Sequence, residues 1–277
     1  MLKIDAHQHF WKFNPVRDSW ITDEMTVIQK DFLPDVLQPR LQQNGFDGCV
    51  LVQSAQPEAE NEFLLEQAQQ HDFIKGVVGW VELQAADIAD RLAHYSRFSK
   101  LKGFRYVLQG HSNKALMLEP AFKKGIQMLA KYGYTYDILI YPDQLVYTDA
   151  FVAAFPDQPF VIDHLGKPQI KSNGYDEWRK RIMAFARYEH VYCKVSGMVT
   201  EANWANWKKE DFTPYLNTLV DTFGMERLMF GSDWPVCLLA ATYEETLGIV
   251  TDYFSSFSQE EQAQLFGGNA AKFYNLS

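Results

Sequence analysis

Two histidines one residue apart, His7 and His9 in the run Asp5-Ala6-His7-Gln8-His9, are the first residues of this chain whose spacing suggests chemistry. Residues two apart in an extended chain point the same way, so both imidazoles can converge on one point. A neutral imidazole pair can ligate a divalent metal, and it can equally donate hydrogen bonds to a carbonyl oxygen. A third imidazole, His164, stands in Asp163-His164-Leu165-Gly166-Lys167-Pro168 after the apolar run Phe160-Val161-Ile162. A carboxylate, Asp233, follows Leu228-Met229-Phe230 in Gly231-Ser232-Asp233-Trp234-Pro235. The plain alternatives are a structural histidine pair and carboxylates that cap helices. Taken together, His7, His9, His164 and Asp233 form a candidate mononuclear metal site, and Asp233 beside three imidazoles suits a general base that takes a proton from water.

Such residues need a scaffold that brings distant segments to one place. Short apolar runs at 2–7, 49–53, 74–81, 101–107, 135–140, 160–164, 191–195 and 228–230 read as strands. Stretches with helical spacing at 34–44, 58–70, 87–98, 119–132, 143–155, 175–188, 213–223 and 243–254 separate or follow them, although Pro39 counts against the first. Runs such as CVLVQ and FVID are apolar on both faces, as parallel strands covered on both sides must be. Eight rounds of this alternation predict an α/β fold, a (β/α)8 TIM barrel, with 1–277 as a single domain. Two short helices at 259–266 and 269–274, broken at Gly267-Gly268, are expected to close the barrel. Barrels of this kind carry their sites at the C-terminal ends of the strands, which is where the His7/His9, His164 and Asp233 motifs fall. The longer connections 10–31 and 196–212 are expected to rim the mouth.

Arg105 and Lys194 are cations inside apolar runs, where a charge turned towards the outer helices would be costly. Both are expected to face the pocket as substrate contacts; the alternative is pairing with a barrel carboxylate such as Asp137. Trp11, Trp20, Trp204, Trp207 and Trp234 offer flat faces for a sugar ring, and Gln53 and Gln56 offer polar contacts. His71, His94, His111 and His190 read as solvated imidazoles. A formal charge of -9, from 26 basic and 35 acidic residues, repels a phosphate backbone, so no nucleic-acid partner is expected. No run approaches the roughly 18 apolar residues of a membrane span, and no basic segment leads into an apolar one at the start, which predicts a soluble cytoplasmic chain without membrane association. Three widely spaced cysteines, Cys49, Cys193 and Cys237, fit buried thiols rather than a disulfide framework or zinc ribbon.

The motifs DAHQHFW, FVIDHLGKP, YCKVSGM, LMFGSDWPV and GNAAKFYNL, spread from residue 5 to residue 274, resemble the amidohydrolase superfamily of amidohydrolase-2 type, in its sugar-lactonase subgroup. The resemblance implies a hydrolase acting on the carboxylic ester bond of a small lactone, an aldonolactone such as L-fuconolactone or L-rhamnonolactone. It places the carbonyl oxygen towards His7, His9 and His164 and gives Asp233 the attacking water. Binuclear members of the superfamily have a bridging lysine or glutamate near the end of strand four and a histidine near the end of strand five. Here Gly103-Phe104-Arg105 and Tyr136-Asp137 stand in those regions, which leaves one divalent metal, zinc, or none. A dicarboxylate substrate would need several arginines at the mouth, whereas Arg105 is at a strand end and Arg17 a loop contributor, so a neutral polyhydroxy lactone is the expected small-molecule partner. A metal-dependent decarboxylase of the same superfamily and a non-catalytic binding barrel are the alternative readings, and a homo-oligomer is left open.

Overall fold

Strands that are apolar on both faces have to be sealed on both sides, and here a closed ring achieves this. The computed structural model describes residues 2–172 and 174–277. Its strands are β1 (Ile4–Gln8), β2 (Gly48–Val52), β3 (Ile74–Gly79), β4 (Leu101–Val107), β5 (Thr135–Leu139), β6 (Phe160–Ile162), β7 (Val191–Val195) and β8 (Leu228–Phe230). Neighbours in sequence are neighbours in the sheet and every pair is parallel, the order being β1 to β8 without exchange. The helices are α1 (Pro34–Gln43), α2 (Ala59–Gln70), α3 (Ile88–Tyr95), α4 (Pro120–Lys131), α5 (Leu145–Ala153), α6 (Tyr175–Ile182), α7 (Met198–Glu201), α8 (Lys209–Phe223), α9 (Tyr243–Tyr253), α10 (Gln259–Ala263) and α11 (Asn269–Phe273). This is the (β/α)8 barrel read from the sequence.

The seam between β1 and β8 closes through residues of the chemical motifs. Asp233 N–H donates to His7 O at 2.8 Å, and His9 N–H donates to Trp234 O at 2.7 Å. Beneath them the Asp5 carboxylate accepts from Ser232 N–H at 2.9 Å and His7 N–H at 3.2 Å. Gly231 is required at this seam, because a Cβ there would lie 2.5 Å from His7 Cβ.

Two apolar layers result. The larger fills the space between strands and helices, with Leu51, Phe104, Phe151, Phe160 and Phe230 among its members. The smaller lies inside the ring, where Ile4, Ala6, Val50, Val52, Val78, Val161 and Met229 meet Ala270, Phe273 and Tyr274 of the C-terminal segment. That segment plugs the barrel floor, and the mouth is left for the site.

Local departures from the sequence reading have local causes. Helix α1 runs through Pro39, since Leu37 and Leu41 bury its inner face and the proline removes a single N–H donor. Helix α8 begins at Lys209, earlier than the expected 213, because Asp211 Oδ2 accepts from Lys208 N–H at 2.8 Å and caps the start there; Pro214 lies inside the helix. The expected break at Gly267-Gly268 is present: Gly267 is non-helical, with φ 165° and ψ -36°, and this kink inside Gln264–Gly268 packs against the start of β1. The loop after β1 holds a 3₁₀ segment, Asp23–Ile28, and the loop after β7 holds α7; neither has a periodic signature long enough to read. The three cysteines are buried and free.

Asn269 ties the floor to β8: its Nδ2 donates to Met225 O and to Leu228 O, each at 2.6 Å. Asn269→Ala leaves two buried carbonyls without this donor and is expected to cost about 1–3 kcal/mol, read as a lower denaturant midpoint at unchanged slope. A midpoint equal to wild type would show that the tie carries no load.

Candidate active site

His7 from β1, His9 just beyond it, His164 after β6 and Asp233 after β8 meet at the C-terminal rim. His7 Nε2 lies 3.2 Å from His9 Nε2. Asp233 Oδ1 lies 3.4 Å from His9 Nε2, 3.8 Å from His164 Nε2 and 3.9 Å from His7 Nε2. All four side chains are nearly or fully buried. The motifs build this convergence in different ways. His164 has φ 53° and Asp233 φ 56°, left-handed conformations that cost a non-glycine residue about 1–2 kcal/mol each. Gly197 makes room for the ring, because a Cβ there would stand 2.7 Å from His164 Nδ1.

Second contacts fix how each imidazole faces the centre. His9 Nδ1 lies 2.8 Å from Val52 O, and a carbonyl only accepts, so Nδ1 carries the proton. His9 Nε2 then faces the Asp233 carboxylate at 3.4 Å, a spacing that a proton or a cation between the two makes favourable. His164 Nδ1 pairs with Ser196 Oγ at 2.8 Å, which turns its Nε2 to the same point. Burial depresses His164 to about 4, and burial followed by the Lys194 charge holds His7 well below the usual imidazole range. Both rings are neutral at neutral pH. Burial would raise Asp233, but His164 and His9 outweigh it and keep the carboxyl below its ordinary value.

The donor set fits a divalent ion. His7, His164 and Asp233 offer ligand atoms within 4.8 Å of one another, and His9 Nε2, outside that group, lies 3.2 Å from His7 Nε2 and 3.4 Å from Asp233 Oδ1. Metal–ligand bonds of about 2.1 Å in a tetrahedron set neighbouring ligand atoms about 3.4 Å apart, close to the spacings here. His9 and His164 each engage their other ring nitrogen, as metal-ligating imidazoles do. His7 is the crowded member, with Arg105 Nη1 3.2 Å from its Nε2.

Beneath the four lies a sealed ionic cluster. Arg105 Nη1 donates to Asp163 Oδ2 at 3.0 Å; Lys194 Nζ contacts Asp137 Oδ2 at 2.5 Å, Asp163 Oδ1 at 3.0 Å and His7 Nδ1 at 3.1 Å. Tyr274 from the floor adds a hydrogen bond to Asp137 Oδ2 at 2.8 Å. Burial pushes Asp137 up to about 6, whereas the Lys194 charge, with the His7 hydrogen bond and Arg105, outweighs burial at Asp163 and holds it well down.

A cavity of ≈ 440 Å³ opens above this floor, lined by His9, Arg105, His164 and Asp233 and, further out, by Arg17, Trp20 and Lys167. Arg105 and Trp20 therefore stand where the sequence placed them. Several other expected substrate contacts do not. Lys194 is wholly buried and spent on Asp137 and Asp163, because an ammonium in the barrel interior has to be matched. Gln53 is buried and braces Arg105, donating to its carbonyl at 3.1 Å. Trp11 donates to Lys30 O at 2.9 Å and packs on Phe32. Trp234 is fully buried against Phe10 and Phe32, since its backbone belongs to the seam. Trp204 donates to Thr200 O at 2.9 Å and lies outside the cavity wall. Gln56 lines the cavity, as do Gln109 and Lys167, neither of which the sequence singled out. His190 is half-buried against Val152 O instead of solvated.

A barrel of eight parallel strands with three imidazoles and one carboxylate at its mouth defines a hydrolase-like scaffold. The signature of the Amidohydrolase family matches residues 4–276, and the chain belongs to that family. An L-fucono-1,5-lactonase of Burkholderia multivorans is 38% identical over 286 residues, covering 99% of this chain and 96% of that protein. An L-fucono-1,5-lactonase of Burkholderia ambifaria is 33% identical over 278 residues, with 99% and 96% covered. A crystal structure of an amidohydrolase from Burkholderia multivorans with bound zinc superposes with a TM-score of 0.97 at 38% identity, over 100% of both chains. Among the described residues, no helix is long and apolar enough to cross a membrane.

Lys194→Met strands two buried carboxylates and is expected to cost about 3–5 kcal/mol, visible as an early unfolding transition. A variant as stable as wild type but weaker in substrate binding would return Lys194 to the cavity.

Proposed function

We propose that this chain hydrolyses the ester bond of a small lactone, an aldonolactone of the L-fuconolactone or L-rhamnonolactone kind, with Asp233 as the general base. The observation that carries this reading is the meeting of Asp233 with three imidazoles at a cavity of sugar size, in a chain 38% identical to an L-fucono-1,5-lactonase. His7, His9 and His164 face the carbonyl oxygen, where negative charge develops as water adds. Asp233 is ionised through the neutral range and can take the proton that the water gives up. Trp20 and Gln56 at the wall suit the apolar face and the hydroxyls of a sugar ring, and Arg105 closes the inner end.

His7, His9, His164 and Asp233 would hold a divalent ion, zinc by the match of nitrogen and carboxylate ligands. Such an ion supplies Lewis-acid polarisation of the carbonyl. The substrate is a neutral small molecule in this reading, and the ionic cluster below the cavity serves the site by fixing Arg105 and His7.

The test is a pH-indicator screen of fucono-, rhamnono-, galactono- and xylonolactones with wild-type and Asp233→Asn proteins. The substitution is expected to lower kcat about 10²–10⁴-fold. Proton release from none of the lactones, or equal rates for the two proteins, would remove the proposal. Because Asp233 sits below its ordinary value of 3.8, kcat/KM is expected to stay level through neutral pH and to fall only as pH drops beneath that value. An acid limb near neutrality would assign the base elsewhere. Exhaustive chelation is expected to lower the rate, and added zinc to restore it; rates indifferent to both would mean that the imidazoles act without metal.

A further inference from the structure

We propose that Lys167 is the acid that protonates the departing ring oxygen when the lactone opens. The inference rests on the lactonase reading above and concerns the other half of the reaction. Three observations carry it.

The first is the backbone. His164, Leu165, Gly166 and Lys167 have φ of 53°, 58°, 70° and 53°, and Lys167 N–H donates to His164 O at 2.7 Å. This is one left-handed turn of 3₁₀ type, in which positions three apart eclipse each other. His164 and Lys167 consequently share a side, and both line the cavity. Three of the four residues are not glycine and occupy a region that L-residues rarely enter, a kind of outlier that gathers at functional sites.

The second is the clamp on the side chain. Lys167 Nζ lies 2.9 Å from Glu201 Oε1 of α7, with the two side chains 18% and 19% exposed. A long flexible side chain is thereby held at one point of the wall. The Glu201 carboxylate at this distance matches the ammonium charge.

The third is elimination. Among the described residues lining the cavity, the ionisable groups are His9, Arg17, Arg105, His164, Lys167 and Asp233. The imidazoles face the carbonyl side and Asp233 takes the water proton. A guanidinium does not release a proton in proteins, which excludes Arg17 and Arg105. Asp233, once protonated, stays among the imidazoles on the water side, which leaves Lys167 at the wall to meet the second oxygen.

The step balances. A bond forms between the water oxygen and the carbonyl carbon as the water proton passes to Asp233. The bond from that carbon to the ring oxygen then breaks, and the leaving oxygen takes a proton from Lys167 Nζ. An alkoxide is a stronger base than a lysine amine, so this transfer runs downhill. The Asp233 proton returns to the Lys167 amine through solvent, leaving a ring-opened hydroxy acid and a restored site.

The experiment compares wild type, Lys167→Met and Lys167→Arg on the best aldonolactone, measuring kcat and KM separately. Lys167→Arg keeps the charge and can keep the pairing with Glu201, but it cannot give up the proton. Both variants are expected to lose about 10²–10³-fold in kcat with KM little changed. If either keeps kcat within tenfold of wild type, or if the effect falls on KM alone, the inference is overturned. Should Lys167→Met fail to fold, the arginine variant decides the matter alone. A wild type that opens no lactone would instead overturn the lactonase reading, so the two failures are distinguishable.

Discussion

Two cations and two carboxylates sealed inside one ring of strands have to satisfy each other, and the positions of the residues above them follow from that requirement. Arg105 and Lys194 enter from β4 and β7, and Asp137 and Asp163 from β5 and the end of β6. An unmatched charge at this depth would be costly, so each side chain is held in place by its partners. His7 rests directly on the cluster, in contact with Lys194 through one ring nitrogen and Arg105 through the other. The rim therefore inherits its geometry from below: the ionic layer seats His7, His7 lies beside His9, and Asp233 completes the group.

The same economy appears at the seam. His7 and Asp233 use their backbone atoms to join β1 to β8 and their side chains to form the site. Asp5, one residue pair below, pins the same junction through Ser232. Burial lifts Asp5 to about 6, with the Ser232 hydrogen bonds opposing the rise, so its carboxyl is poised between charge states by its role in closure. Closure and the rim cluster are not separable at this junction, because any displacement that opens the ring also separates the imidazoles from Asp233.

Much of this was legible in the sequence. Parallel strands carry their own signature, since Cys49–Val52 and Phe160–Ile162 are apolar at every position, and the functional residues stand immediately after such runs. Motifs far apart in the chain could be placed together once a barrel was inferred. What the sequence did not reveal is which way an inward residue is used. Lys194 and Arg105 look alike as cations in apolar strands, yet one is consumed by Asp137 and Asp163 and the other reaches the cavity; depth along the barrel axis decides, and register is invisible without coordinates. Tryptophans misled for a related reason, because Trp11 and Trp234 satisfy the apolar packing around the mouth instead of its surface. Lys167 was hidden by its backbone: no propensity marks three non-glycine residues for a left-handed turn, and only that turn brings the lysine to the wall.

The junction of the first and last strands also bears on how the molecule comes into being. Strand β1 is made before the other seven, with Asp5 and His7 lacking the neighbours that will later engage them, and some two hundred residues separate it from β8. Contacts of such long sequence separation are slow to form, because the intervening chain must first be ordered. The rim cluster of His7, His9 and Asp233 cannot be complete until that junction has formed, because its members stand on the two strands that meet there.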